Sequence, residues 1–241
     1  MNNDMIGNSN ASETDTHDNT TLRVFSENIP AAETDAQRRE RIYNSAENDS
    51  PSRQVARYIK ETGERYVDNM TVRLIYRNDR FGRGGDHTPF SRQGFPAVRL
   101  TEVNENYYRT HTAVEELDGI LYGDRIEGID FEYLRKNTGV NLATAANLAL
   151  APAAPENVHL DASKLENHTS LSWSAPTTGV APAGYYLLVR ETDASQWQRK
   201  IFVSGDAREI RVPLSKDNYF FALQSISAGG HESIAVFATA N

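Results

Sequence analysis

Hydrophobic positions along the chain follow two different rhythms, and the change falls near Ala151. Upstream, helical and strand periods alternate. In "SPSRQVARYIKETGERYV", Ser50 is placed as an N-cap and Pro51 at the first helical position. Val55, Tyr58, Ile59, Thr62 and Tyr66 then fall on one helical stripe. The β-branched run "TVRLIYR", the segment "FPAVRLTE" opened by Pro96, and "TTLRVFS" read as strands. A second helix is predicted over "IDFEYLRKNTGVNLATAANLAL", with Phe131, Leu134, Leu142, Ala145 and Leu148 as its apolar residues. Strands alternating with helices predict a three-layer α/β sheet for residues 1–150.

Downstream the period is 2 throughout. Leu171 and Trp173 share one face of "TSLSWSA", and Tyr185, Leu187 and Val189 one face of "GYYLLVRE". Ile210, Val212 and Leu214 align in "EIRVPL", as do Tyr219, Phe221 and Leu223 in "NYFFALQSIS". Turn signals such as "APTTGVAPAG" and "SAGGHES" separate these runs, which predicts an all-β sandwich over 151–241. From Pro155 to Thr239 the pattern resembles a fibronectin type III module, with Trp173 on an early strand and Leu214 a few residues before Tyr219. That resemblance implies that the Tyr219 hydroxyl pins a loop, as a corner tyrosine does.

Composition narrows the chemistry. The net charge of −8 argues against nucleic acid as a partner, because phosphate binding needs a basic stripe. Cysteine is absent, which removes disulfides, thiolate metal sites and Cys nucleophiles together. Any metal must therefore be held by His and carboxylates. No apolar run approaches the roughly 18 residues that span a bilayer, and no signal peptide is visible. Neither an H-E-x-x-H pair nor a G-x-S-x-G elbow occurs, and "GRGGDH" does not satisfy the dinucleotide fingerprint. His17 falls in a polar loop, and His159, His168 and His231 in the sandwich half.

Several pieces in order carry more information than any alone: "NNDMIGN", "SPSRQVARYI", "FGRGGDHTPFSRQGFPAVRLTE", "NYYRTHT" and "FEYLRKNTGVNLATAANLALAPAAP". Together they resemble the C-terminal half of a di-zinc aminopeptidase of metallopeptidase family 28, the family of bacterial leucyl aminopeptidases. The resemblance implies a partial three-layer zinc-peptidase sheet whose N-terminal half is missing. It also implies metal ligands at Asp4, at a strand end, and at His111, in an H-T motif. A carboxylate at a strand's C-terminal end and an imidazole from a loop above the same edge can converge on one crevice. Asp86 and His87 match a D-H-x-P-F turn, where Asp86 can cap the helix starting near Pro89 and both can shape the pocket wall. Glu102 follows the strand and can line the site.

The remaining ligands and the general-base Glu would precede Met1, so the expectation is two zinc ions in an intact member and a weak or absent site in this chain alone. The implied function is part of an exported enzyme, secreted or periplasmic, that hydrolyses peptides at free N-termini with zinc-activated water. Its partners would be a peptide substrate and the missing N-terminal half. The alternative is a non-catalytic binding or adhesion protein acting through the sandwich.

Overall fold

The computed structural model describes residues 1–240 and divides into two compact units. The first comprises 1–32 and 55–144, the second 33–54 and 145–240. The split between the units lies inside a helix, and the stretch 33–54 groups with the C-terminal unit.

The first unit is built from β1 (Asn2–Asn3), β2 (Thr21–Ser26), β3 (Thr71–Ile75) and β4 (Val98–Glu102), in the order β1-β4-β2-β3. β2 runs parallel to β3 and antiparallel to β4, while β1 runs parallel to β4. β1 is short and lies at the edge of this sheet, paired only with β4 among the described residues. A small hairpin, β5 (Glu116–Leu117) and β6 (Ile120–Leu121), lies further along the chain.

Among the described residues the α-helices are α1 (Asp35–Tyr43), which belongs to the second unit, α2 (Pro51–Tyr66), α3 (His87–Arg92) and α4 (Phe131–Leu150). The start of α2 forms as its sequence predicts, with the Arg53 N–H donating to Ser50 Oγ at 3.1 Å and Pro51 at the first position. Ala56 and Ile59 of α2 and Tyr133 and Val140 of α4 pack on Leu22, Val24, Val72, Val98 and Leu100. The two helices approach so closely that a Cβ at Gly63 would lie 2.9 Å from Val140 Cγ1.

The apolar stripe expected on α4 is not the buried one. Phe131 and Leu142 are exposed, whereas Tyr133, Asn137, Val140 and Thr144 are fully buried. Their polar groups find acceptors: Tyr133 Oη donates to the Thr21 carbonyl at 2.6 Å and Asn137 Nδ2 to the Ile6 carbonyl at 2.7 Å. Hydrogen bonding to the sheet's ends, rather than hydrophobicity alone, selects this helix's inner face.

The second unit holds the sandwich. Its strands are β7 (Glu156–Leu160), β8 (Thr169–Ser174), β9 (Gly184–Glu191), β10 (Arg199–Ser204), β11 (Glu209–Val212), β12 (Tyr219–Ile226), β13 (Val236–Phe237) and β14 (Thr239–Ala240). They form two four-stranded sheets, β10-β9-β12-β13 and β11-β8-β7-β14. Leu171 and Trp173 from one sheet meet Tyr185, Leu187, Val189, Phe221 and Leu223 from the other in a single core, so the sheets face each other. The stretch 33–54 is tied to this unit by Asp49, whose Oδ2 accepts from Arg190 Nη2 at 2.5 Å. The Arg190 guanidinium also lies 4.4 Å from the Phe220 ring centre. Among the described residues no helix is long and apolar enough to cross a membrane.

Candidate functional site

The parallel pairing of β1 with β4 brings both strands to their carboxyl ends at the same edge. The Asp4 N–H donates to the Leu100 carbonyl at 3.1 Å, and the Glu102 N–H to the Met5 carbonyl at 2.8 Å. A cleft of about 360 Å³ opens there, lined by Asp4, Met5, Gly7, Asn8, Glu102, Asn106, the run Arg109–Thr110–His111, and Asp124, Arg125, Gly128 and Ile129. Crevices beyond the carboxyl ends of strands are where α/β sheets place their ligands.

Asp4 is fixed from beneath. The buried Arg99 guanidinium donates to the Asp4 carbonyl through Nε at 2.8 Å and to Asp4 Oδ2 through Nη2 at 2.9 Å. Its Nη1 reaches Asp79 Oδ2 and the Gly84 carbonyl, each at 2.8 Å. Burial alone would raise the Asp79 carboxyl, but the Arg80 N–H and the Arg99 guanidinium outweigh it and hold that carboxyl below the usual range. The Asp4 side chain itself remains 47% exposed, so it faces the cleft while its geometry is set from behind.

His111 is positioned by its neighbours. Thr112 Oγ1 donates to the Tyr108 carbonyl at 2.8 Å and accepts from the Gly123 N–H at 2.9 Å, so the hydroxyl after the histidine closes the loop. Gly123 sits at φ +88°, and a Cβ there would lie 2.7 Å from Val114 Cα. His111 is exposed and held at φ +55°, a left-handed conformation that a non-glycine residue adopts only when its surroundings impose it.

Glu102 is 1% exposed. Burial pushes its carboxyl up to about 7, an effect that the Asn8 N–H, donating to Oε2 at 3.0 Å, opposes and that neighbouring Glu105 reinforces. Its Oε1 is buried with no partner among the described residues. Glu105 is held by Arg23 Nη2 at 2.9 Å and contacted by Arg80.

Asp86 and His87 lie elsewhere and do not line the cleft. Asp86 occupies the cap position of α3, yet its side chain makes no capping hydrogen bond because the residue is already in right-handed helical geometry. His87 is buried, with Nε2 3.1 Å from the Asn78 carbonyl oxygen and 3.7 Å from Asp79 Oδ2. Arg109, Asp124, Arg125 and Asn8 line the cleft without having been singled out from sequence. Of these, Asn8 and Arg109 carried a signal there, as parts of "NNDMIGN" and "NYYRTHT".

As a donor set, Asp4 and His111 offer one carboxylate and one imidazole to one space. Among the described residues no three His, Asp or Glu side chains are grouped as a metal ion would need. The described residues therefore do not by themselves compose a zinc site.

No family model matches the chain. Several fungal proteins are similar over 98% of it. A probable zinc metalloprotease of Leptosphaeria maculans is 40% identical over 237 residues, of which this chain covers 54% of that protein's length. One from Pyricularia oryzae is 42% identical over 243 residues (47% of its length), and one from Pyrenophora tritici-repentis 39% over 239 residues (49%). The chain thus spans about half the length of the curated relatives it matches. Among solved structures, the fn3 domain of human collagen alpha-1(XX) chain is 23% identical with TM-score 0.31, covering 37% of this chain and 84% of that one. An Fn3-like protein from Clostridium thermocellum is 16% identical with TM-score 0.31, covering 38% and 93%.

Proposed function

We propose that this chain is part of a zinc-dependent peptidase, to which it contributes Asp4 and His111 as ligands and the cleft between them as the substrate site. The observation carrying this reading is that both residues line one cleft at the carboxyl ends of β1 and β4. Similarity to probable zinc metalloproteases across nearly the whole chain supports the same chemistry. The finer reading is an exported aminopeptidase with two zinc ions, and it rests on the resemblance of the ordered motifs. Zinc bound there would supply Lewis acidity and an activated water. The chain's own residues hold the ligands in place: Arg99 orients Asp4, and Thr112 fixes the turn that presents His111. The missing ligands and the general base would come from an N-terminal half.

Elemental analysis of a form as long as the curated relatives tests this. About two zinc ions per chain are expected, with about one lost in Asp4→Asn or His111→Ala, and peptide hydrolysis falling with the metal. Full zinc retention in both variants would sink the assignment. A second reading, binding through the sandwich without catalysis, draws on the absence of a three-residue metal group among the described residues. It predicts no zinc in the longer form either.

A further inference from the structure

The cleft contains more than its two candidate ligands. Arg109 lines it, and its guanidinium makes no hydrogen bond or ion pair with any described residue. Nη1 is buried without an acceptor. A guanidinium carries five N–H donors, and leaving them unmet in a partly dry site costs free energy that a ligand acceptor would recover.

Its position is built. The Arg109 N–H donates to the Asn106 carbonyl at 3.1 Å, and neighbouring Tyr108 packs edge-on against Tyr122 with ring centres 5.5 Å apart. The side chain lies across Gly128, where a Cβ would come within 2.7 Å of Nη1 and 2.9 Å of Cδ. Glycine at 128 is what lets the guanidinium occupy this place.

Charge points the same way. The Asp4 carboxylate is already engaged by Arg99. Arg125, the other cleft arginine, donates only to the backbone carbonyls of Tyr122 (3.1 Å) and Glu115 (3.4 Å). Two guanidiniums therefore share the wall of one small cleft with neither paired to a carboxylate, Asp124 in the same wall included. Planar guanidinium recognises carboxylate in a charge-assisted fork. At about 360 Å³ the cleft is near the lower end of ligand pockets, which run from roughly 300 to 1,000 Å³, and so suits a short peptide.

We infer that Arg109 determines specificity by binding a carboxylate of the peptide in the cleft, which makes short peptides with a nearby carboxylate the preferred substrates. The inference rests on the peptidase reading for the word substrate, but the carboxylate site does not need the metal. Two sources share this chemistry: the C-terminal carboxylate of a di- or tripeptide, and an acidic side chain.

The test is calorimetric binding to the 241-residue chain in the presence of a chelator, with three probes: Ala-Ala-Ala, its C-terminal amide, and Ala-Glu-Ala amide. The free acid should bind about tenfold or more tightly than its amide, as loss of one charge-assisted contact implies. Arg109→Gln should reduce the acid to the level of the amide and leave the amide unchanged. Gly128→Ala, which displaces the guanidinium without removing it, should do the same. If Ala-Glu-Ala amide binds like the free acid, the site accepts a side-chain carboxylate. If it binds like Ala-Ala-Ala amide, the site is reserved for the C-terminus. Equal binding of acid and amide by the unsubstituted chain overturns the inference, as does no binding of any probe, or a preference that survives both substitutions. Acid preference without zinc-dependent hydrolysis in the longer form would retain the site and remove the peptidase reading. Zinc-dependent hydrolysis indifferent to carboxylate would do the reverse.

Discussion

In the sandwich, the strand faces that meet between the two sheets are built from Leu171, Trp173, Tyr185, Leu187, Val189, Phe221 and Leu223. In the sheet of the first unit only one face is of that kind. Leu22, Val24, Val98 and Leu100 receive α2 and α4, while the alternate positions Arg23, Arg99 and Thr101 make the opposite face largely polar, with Phe25 its apolar member. Arg99 and Thr101 are as inaccessible as the leucines. The sandwich can tolerate changes that conserve volume, because burial of apolar area is non-directional. The polar face has no such tolerance. Arg23 is met by Glu105 Oε1 and the Glu102 carbonyl, Arg99 by Asp79 and Asp4, and it is Arg99 that holds Asp4 at the cleft.

The sharpest way to break this comparison is Arg99→Met. It removes the guanidinium from Asp79 Oδ2 and from the Asp4 carbonyl, leaving a buried carboxylate without that charge partner, and about 3–5 kcal/mol of stability should be lost. Denaturant unfolding would measure it, with amide exchange in β2 and β4 rising first. Adding Asp79→Leu should restore part of the loss, because an apolar pair removes the stranded charge. A cost below about 1 kcal/mol would mean that the ion network is ornamental. The matching change in the sandwich, Leu187→Ala, should cost about 2–5 kcal/mol through lost transfer energy and a cavity. Exchange should then rise in β9 and β12, and no second-site substitution of a single charge should restore it.

Glu102 sharpens the contrast further, because its effect should depend on pH. Its carboxyl is raised from an ordinary 4.5 to about 7 by burial, so the folded state holds a proton that the unfolded chain has already released. Stability contributed by this group is complete below about 4.5 and is lost as pH rises toward 7. Glu102→Gln keeps an acceptor for the Asn8 N–H and removes the titration. The variant should match the parent at pH 4 and exceed it by up to about 3 kcal/mol at pH 8, as a shift of this size implies. Parallel pH profiles for the two proteins would show that the carboxyl is not buried as described.

The same contrast explains what could be read from sequence. The sandwich faces were legible because period 2 is a direct image of burial: the residues aligned in β8, β9, β11 and β12 are those that pack. The strands around the cleft and the start of α2 were legible for similar reasons. The inner face of α4 was not, because Tyr133, Asn137 and Thr144 are chosen by hydrogen bonding, which leaves no hydrophobic trace, while Phe131 and Leu142 stay exposed. Arg99 reads as the polar half of an alternating strand, and nothing local distinguishes a solvated arginine from one buried on Asp4 and Asp79. The segment α1 and the strand β10, with "RKIFVS", also passed unmarked, since charged residues flank a short apolar run. Of the site, Asp4, His111 and Glu102 line the cleft, whereas Arg109 and Arg125 became visible only once the loops carrying them were placed.

The smallest expected effects test a detail of the sandwich. A corner tyrosine would have its hydroxyl hold the loop near Leu214. In the structure the Tyr219 hydroxyl has no hydrogen-bond partner among the described residues, and its ring packs at the core's margin with the Arg199 guanidinium 5.7 Å from its centre. The loop is held instead from the other sheet: Thr169 Oγ1 donates to the Leu214 carbonyl at 2.7 Å, and Thr169 is fully buried. Thr169→Val keeps the shape and strands that carbonyl, so it should cost about 1–2 kcal/mol. Tyr219→Phe removes only an unpaired hydroxyl and should stay within about 0.5 kcal/mol of the parent. Thermal unfolding of the two single variants and the double decides the matter. If the order is reversed, with Tyr219→Phe the costlier change, the tyrosine rather than the threonine pins the loop, and the sandwich would then also depend on a specific polar contact as the first unit's sheet does.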